Sequence, residues 1–144
     1  MENKVRFGGV IVSHGQVANE LLSAAETVVG ELGNLAAVSI GWHDDVEAAK
    51  AEIDGAIKRV SRGNGVILMT DMFGGTPTNI SAMFYKENEV EIVTGVNLPM
   101  VIRLATNTRE ITLDEAAADI EEQGKSAITR AGKLLAPATM RKDG

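Results

Sequence analysis

The apolar residues of this chain fall into two alternating kinds of run. Short continuous runs at FGGVIVS (7–13), LAAVSI (35–40), GVILMTD (65–71) and VEIVTG (90–95) predict four strands. Unbroken apolar runs of this length suit strands covered on both faces. Between them, apolar residues recur at helical spacing. Val17, Leu21, Leu22, Ala25, Val28 and Val29 mark a first helix, with Gly30 as its stop. Val46, Ala49, Ile53, Ile57 and Val60 mark a second, which RGNG (62–65) ends. Asp44 followed by Glu47 resembles a capping box, with Asp44 as the cap. Pro77 suits the first position of a third helix, capped by Thr76. NLPMVIRLAT (97–106) opens a fourth, with Pro99 near its start, and Leu113, Ala117 and Ile120 mark a last helix that Gly124 is placed to end.

Strands alternating with helices predict an α/β fold: a doubly wound, mostly parallel sheet with helices on both faces. Residues 1–135 make one domain and 136–144 a tail. In such folds ligands gather beyond the carboxyl ends of the strands. His14 follows the first strand and Asp71 ends the third. First and third strands can be neighbours, so the two residues can meet although far apart in sequence.

Composition narrows the chemistry. The net charge of −6 and the absence of a basic run argue against nucleic acid or an anionic membrane as the main partner. Aromatics are only 3% of the chain, too few for a base-stacking platform. There is no cysteine, so disulfides, thiolate catalysis and cysteine-ligated metals are excluded. The first residues do not read as a signal peptide, and no apolar stretch approaches a membrane span, so no direct membrane insertion and a cytoplasmic location are expected.

A neutral imidazole carries one N–H and one lone pair. If Asp71 accepts the N–H of His14, the tautomer is fixed and the other nitrogen becomes an oriented nucleophile. A strand-end histidine bonded to backbone is the plainer reading. The position at the carboxyl edge, with Gly15 clearing space beside it, favours function. In DMFGGTPTN (71–79), Gly74 and Gly75 let the backbone approach a ligand, and the helix opened by Thr76 aims its first N–H groups at the same space. That is an anion pocket or an ordinary strand-to-helix turn. It is no nucleotide-binding loop, for it has no phosphate-binding lysine. A metal site from His14, His43, Asp44 and Asp71 is conceivable, though His43 reads more simply as a solvated loop residue. Trp42 fits core, loop packing or a partner contact equally. Met72 and Phe73 suit an apolar rim where a protein docks.

The segments GVIVSHGQVANELLSAAETVVGE, GVILMTDMFGGTPTNISA and VEIVTGVNLPMVIRLA closely resemble the mannose-family enzyme IIA component of the bacterial phosphoenolpyruvate-dependent sugar phosphotransferase system. S-H-G after the first strand, T-D-x-x-G-G-T-P-x-N after the third and G-V-N-L-P after the fourth carry the resemblance, which covers about residues 6 to 130. It implies that His14 accepts a phosphoryl group from the phosphocarrier HPr and passes it to a histidine of a IIB component. It implies that Asp71 bonds the other ring nitrogen, and that Gly74, Gly75 and Thr76 hold the phosphoryl oxygens. No metal, nucleotide or other cofactor is implied. The resemblance also implies a homodimer in which GKSAITRAG (124–132) forms a short antiparallel strand exchanged with the partner, against the helical periodicity of Ala127, Ile128, Ala131 and Leu135. Because many relatives fuse IIA to IIB and this chain ends at 144, IIB is expected as a separate protein.

Three other readings stand beside this one. A regulatory phosphoprotein of the same family would keep His14 but signal to a non-transport partner. The phosphotransfer subunit of dihydroxyacetone kinase shares the fold, although GGTPTN and GVNLP favour the sugar-transport type. A plain anion-binding domain would bind without transferring. The identity of the sugar cannot be read from these residues.

Overall fold

A computed structural model describes residues 4–41 and 45–136. Four strands, β1 (Gly8–His14), β2 (Leu35–Ile40), β3 (Val66–Thr70) and β4 (Val90–Thr94), form one sheet in the order β2-β1-β3-β4, with every neighbouring pair parallel. Six helices accompany them: α1 (Val17–Val29), α2 (Val46–Val60), α3 (Gly75–Ala82), α4 (Leu98–Ala105), α5 (Leu113–Ser126) and α6 (Ala131–Leu135). The predicted doubly wound α/β architecture is the one observed. All four strands fall within about a residue of their predicted runs, except that β1 also takes in His14.

The alternation of a strand's side chains sorts the core into two layers. Phe7, Ile11, Ile67 and Met69 pack with Ala18 and Ala25 of α1, Val101 and Leu104 of α4, and Ile120 of α5. Val10, Val12, Val66 and Leu68 face the other way, onto Ile53, Ala56 and Val60 of α2 and Ile80 of α3. The strands are therefore apolar along most of their length because both faces are covered, with polar residues such as Ser13, His14 and Thr70 gathered at the carboxyl ends of β1 and β3. α1 is less sunken than its pattern suggests: Ala18 and Ala25 are buried, while Val17 and Val28 are exposed.

Several element ends differ from the sequence pattern for identifiable reasons. The cap of α2 is Asp45, whose carboxylate accepts from the Glu47 N–H at 3.4 Å. Trp42, His43 and Asp44 lie outside the described residues, and so do 137–144 of the expected tail. Helix α3 begins before Thr76, with Gly74 as its cap and Pro77 at its third position. Proline is tolerated there because the first turn's N–H groups have no intrahelical partner to lose. Gly124 does not end α5. A Cβ there would lie 2.5 Å from the Met100 sulfur, so the residue permits close packing of α5 on α4. A capping box of Thr112 and Glu115 starts α5, and Arg103 ties it to α4 by bonds of 2.8 and 3.1 Å to Asp119.

The strand expected over 124–132 is not formed in the single chain. α5 occupies its first three residues and α6 its last two, and no strand is assigned there. A strand needs an edge to pair with. Instead, Ile128 borders a groove of about 290 Å³ beside β4, shared with Val93, Thr94 and Met100. The outer edge of β4 is partly occupied by its own neighbours. Lys86 and Val90 exchange backbone bonds of 3.0 and 2.8 Å, and the Ile92 N–H donates to the Glu91 carboxylate at 2.9 Å.

Two glycines separate packing from backbone entropy. At Gly8 in β1, a Cβ would strike the carbonyl of Val60 at the end of α2, whereas at Gly55 inside α2 it would meet open space. Gly8→Ala should destabilise the protein by about 1–3 kcal/mol through overpacking against backbone. Gly55→Ala should stabilise it by about 0.5–1 kcal/mol. Urea unfolding of both variants checks the opposite signs.

Candidate functional site

The strand order reverses between β1 and β3: the chain leaves β1 toward β2 on one side and returns to β3 on the other. Such a switch point opens a crevice at the carboxyl ends of the two strands. His14 is the last residue of β1, and Asp71 follows the last residue of β3. The predicted meeting occurs. Asp71 Oδ2 accepts the His14 backbone N–H at 3.0 Å and lies 2.9 Å from His14 Nδ1. One carboxylate oxygen thus holds both the backbone and the ring of the same histidine.

This fixes the chemistry of the ring. An ionised carboxylate only accepts, so in the neutral imidazole Nδ1 carries the hydrogen and Nε2 keeps its lone pair. Partial burial works against the Asp71 charge, and its second oxygen is buried without a hydrogen-bond partner. The backbone bond from His14, the ring's bond and the ring's charge outweigh this and hold the carboxyl below the usual carboxylate range. His14 itself remains half-exposed, at 49%, against 16% for Asp71. The His14 ring is reachable from solvent and the Asp71 carboxylate is sheltered.

Nε2 faces the start of α3. A Cβ built on Gly75 would sit 3.1 Å from both His14 Cε1 and Nε2, and the backbone there has φ +80°. Only glycine meets both demands without strain. The opening N–H groups of α3, free of intrahelical partners, lie next to the lone pair, where an anion on Nε2 is favoured. Gly75 thus stands against the His14 ring, while Gly74 caps α3 with open space around it. Thr76 is the second residue of α3 and is exposed. Met72 and Phe73, which follow Asp71, are 54% and 83% exposed, and Phe73 borders a groove with Ile92, Val93 and Ala117. Among the described residues, no group of three or more histidines, cysteines or carboxylates is placed to hold a metal ion.

Three hydroxyl residues were not singled out from the sequence. Ser13, fully buried, accepts the Ala18 N–H at 2.7 Å and so caps α1 from within β1. Thr70 and Thr78 form a pair of hydroxyls behind the Asp71 loop, 3.0 Å apart. Thr70 opens the T-D-x-x-G-G-T-P-x-N motif, but nothing in that spacing says which way a side chain on a fully buried strand turns.

The model of the family described as "PTS system fructose IIA component" matches residues 8–121. The chain belongs to this family of phosphotransferase-system IIA components. It is 30% identical over 126 residues to the mannose-specific EIIAB component of Escherichia coli K12, covering 83% of this chain but only 38% of that relative. The fructose-specific EIIA component of Bacillus subtilis is 24% identical over 120 residues, covering 83% of this chain and 82% of its own. The solved mannose/sorbose-specific IIA subunit from Enterococcus faecalis superimposes with a TM-score of 0.75 at 33% identity, covering 86% of this chain and 93% of the other. Among the described residues no helix is long and apolar enough to cross a membrane.

The depressed Asp71 pKa carries a stability consequence. The unfolded carboxyl titrates near ~3.9, and the folded one lies lower. Its contribution is therefore complete above the unfolded value and is lost as pH falls through the folded one. Asp71→Asn removes that dependence. The stability gap between wild type and Asp71→Asn should shrink steadily as pH falls below about 4. Asp119 and Glu115, also lowered by their partners, are common to both proteins and cancel. Urea unfolding across this range checks it, and a gap unchanged down to the acid limit contradicts it.

Proposed function

We propose that this protein is a phosphohistidine carrier of the cytoplasm, accepting a phosphoryl group from HPr on His14 and passing it to a IIB component for sugar uptake. The observation that carries the reading is the 2.9 Å contact of His14 Nδ1 with Asp71, which leaves Nε2 as the free lone pair beside Gly75. Nε2 attacks the phosphorus of the donor's phosphohistidine. The new P–N bond forms as the donor's P–N bond breaks, and the donor imidazole leaves with the electron pair. Nδ1 keeps its proton, and its bond to Asp71 strengthens as positive charge grows on the ring.

The amides opening α3, from Gly75 and Thr76, receive the phosphoryl oxygens, with Gly74 giving the approach. Bond made and bond broken are of the same kind, so the step is close to balanced and runs either way. The protein's task is orientation and charge compensation, without metal or nucleotide. Met72 and Phe73 give the donor and acceptor proteins an apolar surface around the histidine. The regulatory alternative uses the same chemistry with a different recipient.

Intact mass after incubation with phosphoenolpyruvate, enzyme I and HPr tests the site. Wild type should gain one phosphoryl group and His14→Ala none. Asp71→Asn should gain it more slowly, by about 10- to 100-fold, as an imidazole without its orienting partner is less often correctly placed. Equal rates for wild type and Asp71→Asn would remove Asp71 from the mechanism.

The homodimer implied by the resemblance is part of this reading. Ile128, Leu134 and Leu135 are 79%, 62% and 80% exposed, more apolar surface than so short a segment ordinarily leaves in water. Residues 124–132, whose ends lie in α5 and α6 in the single chain, are the segment proposed to pair across the dimer. Sedimentation at micromolar concentration should give twice the chain mass for wild type. Ile128→Glu should shift it to one chain mass.

A further inference from the structure

The loop that carries Asp71 has little apolar burial to hold it. Its next two residues, Met72 and Phe73, are 54% and 83% exposed, and Gly74 has no side chain. Yet Asp71 must keep one oxygen within 3.0 Å of two donors on another strand. The amino-terminal side of the loop is anchored by backbone: the Thr70 carbonyl accepts the N–H groups of Gly95 and Val96, both at 2.9 Å. The carboxyl-terminal side is anchored by a hydroxyl. Thr78 Oγ1, on α3, lies 2.6 Å from the Met72 carbonyl and 3.0 Å from Thr70 Oγ1.

Donors and acceptors in this cluster can be assigned. The Met72 carbonyl only accepts, so Thr78 donates to it across the shorter contact. Thr70 Oγ1 is 3.4 Å from the same carbonyl and nearer to Thr78, so its hydrogen points to Thr78 Oγ1. The chain runs Thr70 to Thr78 to Met72, each bond polarising the next. Thr70 is fully buried, so its bond to Thr78 lies at the edge of the core, while the bond from Thr78 to the Met72 carbonyl lies in the exposed loop. The cluster joins the end of β3, the Asp71 loop and the first turns of α3. Those are the pieces that set Asp71 and Gly75 around His14.

We propose that Thr78 is a positioning residue of this site, its hydroxyl clamping the Met72 carbonyl so that Asp71 stays in register with both donors of His14. The hydrogen bonds of the Thr78 hydroxyl go to Met72 and Thr70, so it acts on His14 through Asp71. The proposal rests on the phosphocarrier reading for its rate consequence but not for its structural one.

Thr78→Val removes the hydroxyl at nearly constant shape, and Thr78→Ser keeps it. The primary readout is the ¹⁵N signal pair of the His14 ring, separated from His43 by a His14→Gln control and read without any phosphoryl donor. In wild type the Nδ1–H tautomer should dominate the neutral ring. In Thr78→Val its fraction should fall, and transfer from HPr should slow about tenfold, since small misplacements of reacting groups cost up to about 10²-fold. Thr78→Ser should restore both to within about twofold. Should the valine variant not fold, as judged by its thermal transition, Thr78→Ala is read in its place.

An unchanged tautomer fraction overturns the proposal whatever the rate. So does a change that serine does not reverse, for that would come from packing and not from the hydroxyl. If wild type takes no phosphoryl group, the phosphocarrier reading fails, while the tautomer comparison still decides the role of Thr78.

Discussion

Asp71 Oδ2 accepts two hydrogen bonds from one residue of a neighbouring strand, and the site depends on that arrangement. The backbone bond continues the pairing of β1 with β3 one step beyond the ladder, which ends at Val12 and Thr70. The ring bond sets a tautomer. Because both bonds end on one oxygen, the angle of the imidazole is tied to the register of the sheet. A slip of β1 against β3 would move the nucleophile and reverse which side chains face each core layer. Register is held by Val10, Ile11 and Val12 on the one strand and Ile67, Leu68 and Met69 on the other, all fully buried. The precision of the site is therefore inherited from the core.

The strand order explains why the pair meets at an open surface. Helices pack on both faces of the sheet, yet at the switch point α1 and α3 diverge to opposite faces. The crevice between them leaves His14 half-exposed and Asp71 sheltered, as the proposed transfer from another protein requires. A deep cavity would serve a small substrate better. The proposed chemistry fits the same economy, because phosphoryl transfer as proposed needs one oriented lone pair and a few backbone N–H groups.

Much of this was legible in the sequence. Continuous β-branched runs located all four strands, since a strand covered on both faces has few other ways to read. The edge position of His14 and Asp71 followed from topology, and the double glycine from the need for close approach. Other features depended on distance in space. Gly124 looks like a helix stop until Met100 is seen against it. Thr76 looks like a cap until Gly74 is found to begin the helix, and Asp44 and Asp45 differ by one residue in a feature that only geometry separates. The hydroxyl cluster of Thr70 and Thr78 was invisible because threonine at a strand end and in a helix each has many ordinary uses. The short segment after α5 has apolar residues without a period long enough to choose between helix and strand, and its state depends on what lies next to it.

The edge of β4 carries a consequence of its own. The amides of alternate residues point away from β3, and two of these are already occupied: Val90 by the Lys86 carbonyl and Ile92 by the Glu91 carboxylate. A newcomer strand would exchange existing bonds for new ones and so would gain little from the backbone alone. Glu91 acts as a removable guard, solvating the edge while alone and yielding only to something that fits the adjoining grooves. Adhesion at this edge is thus governed by side-chain complementarity, and a chance encounter with another unfolded chain finds no ready template there.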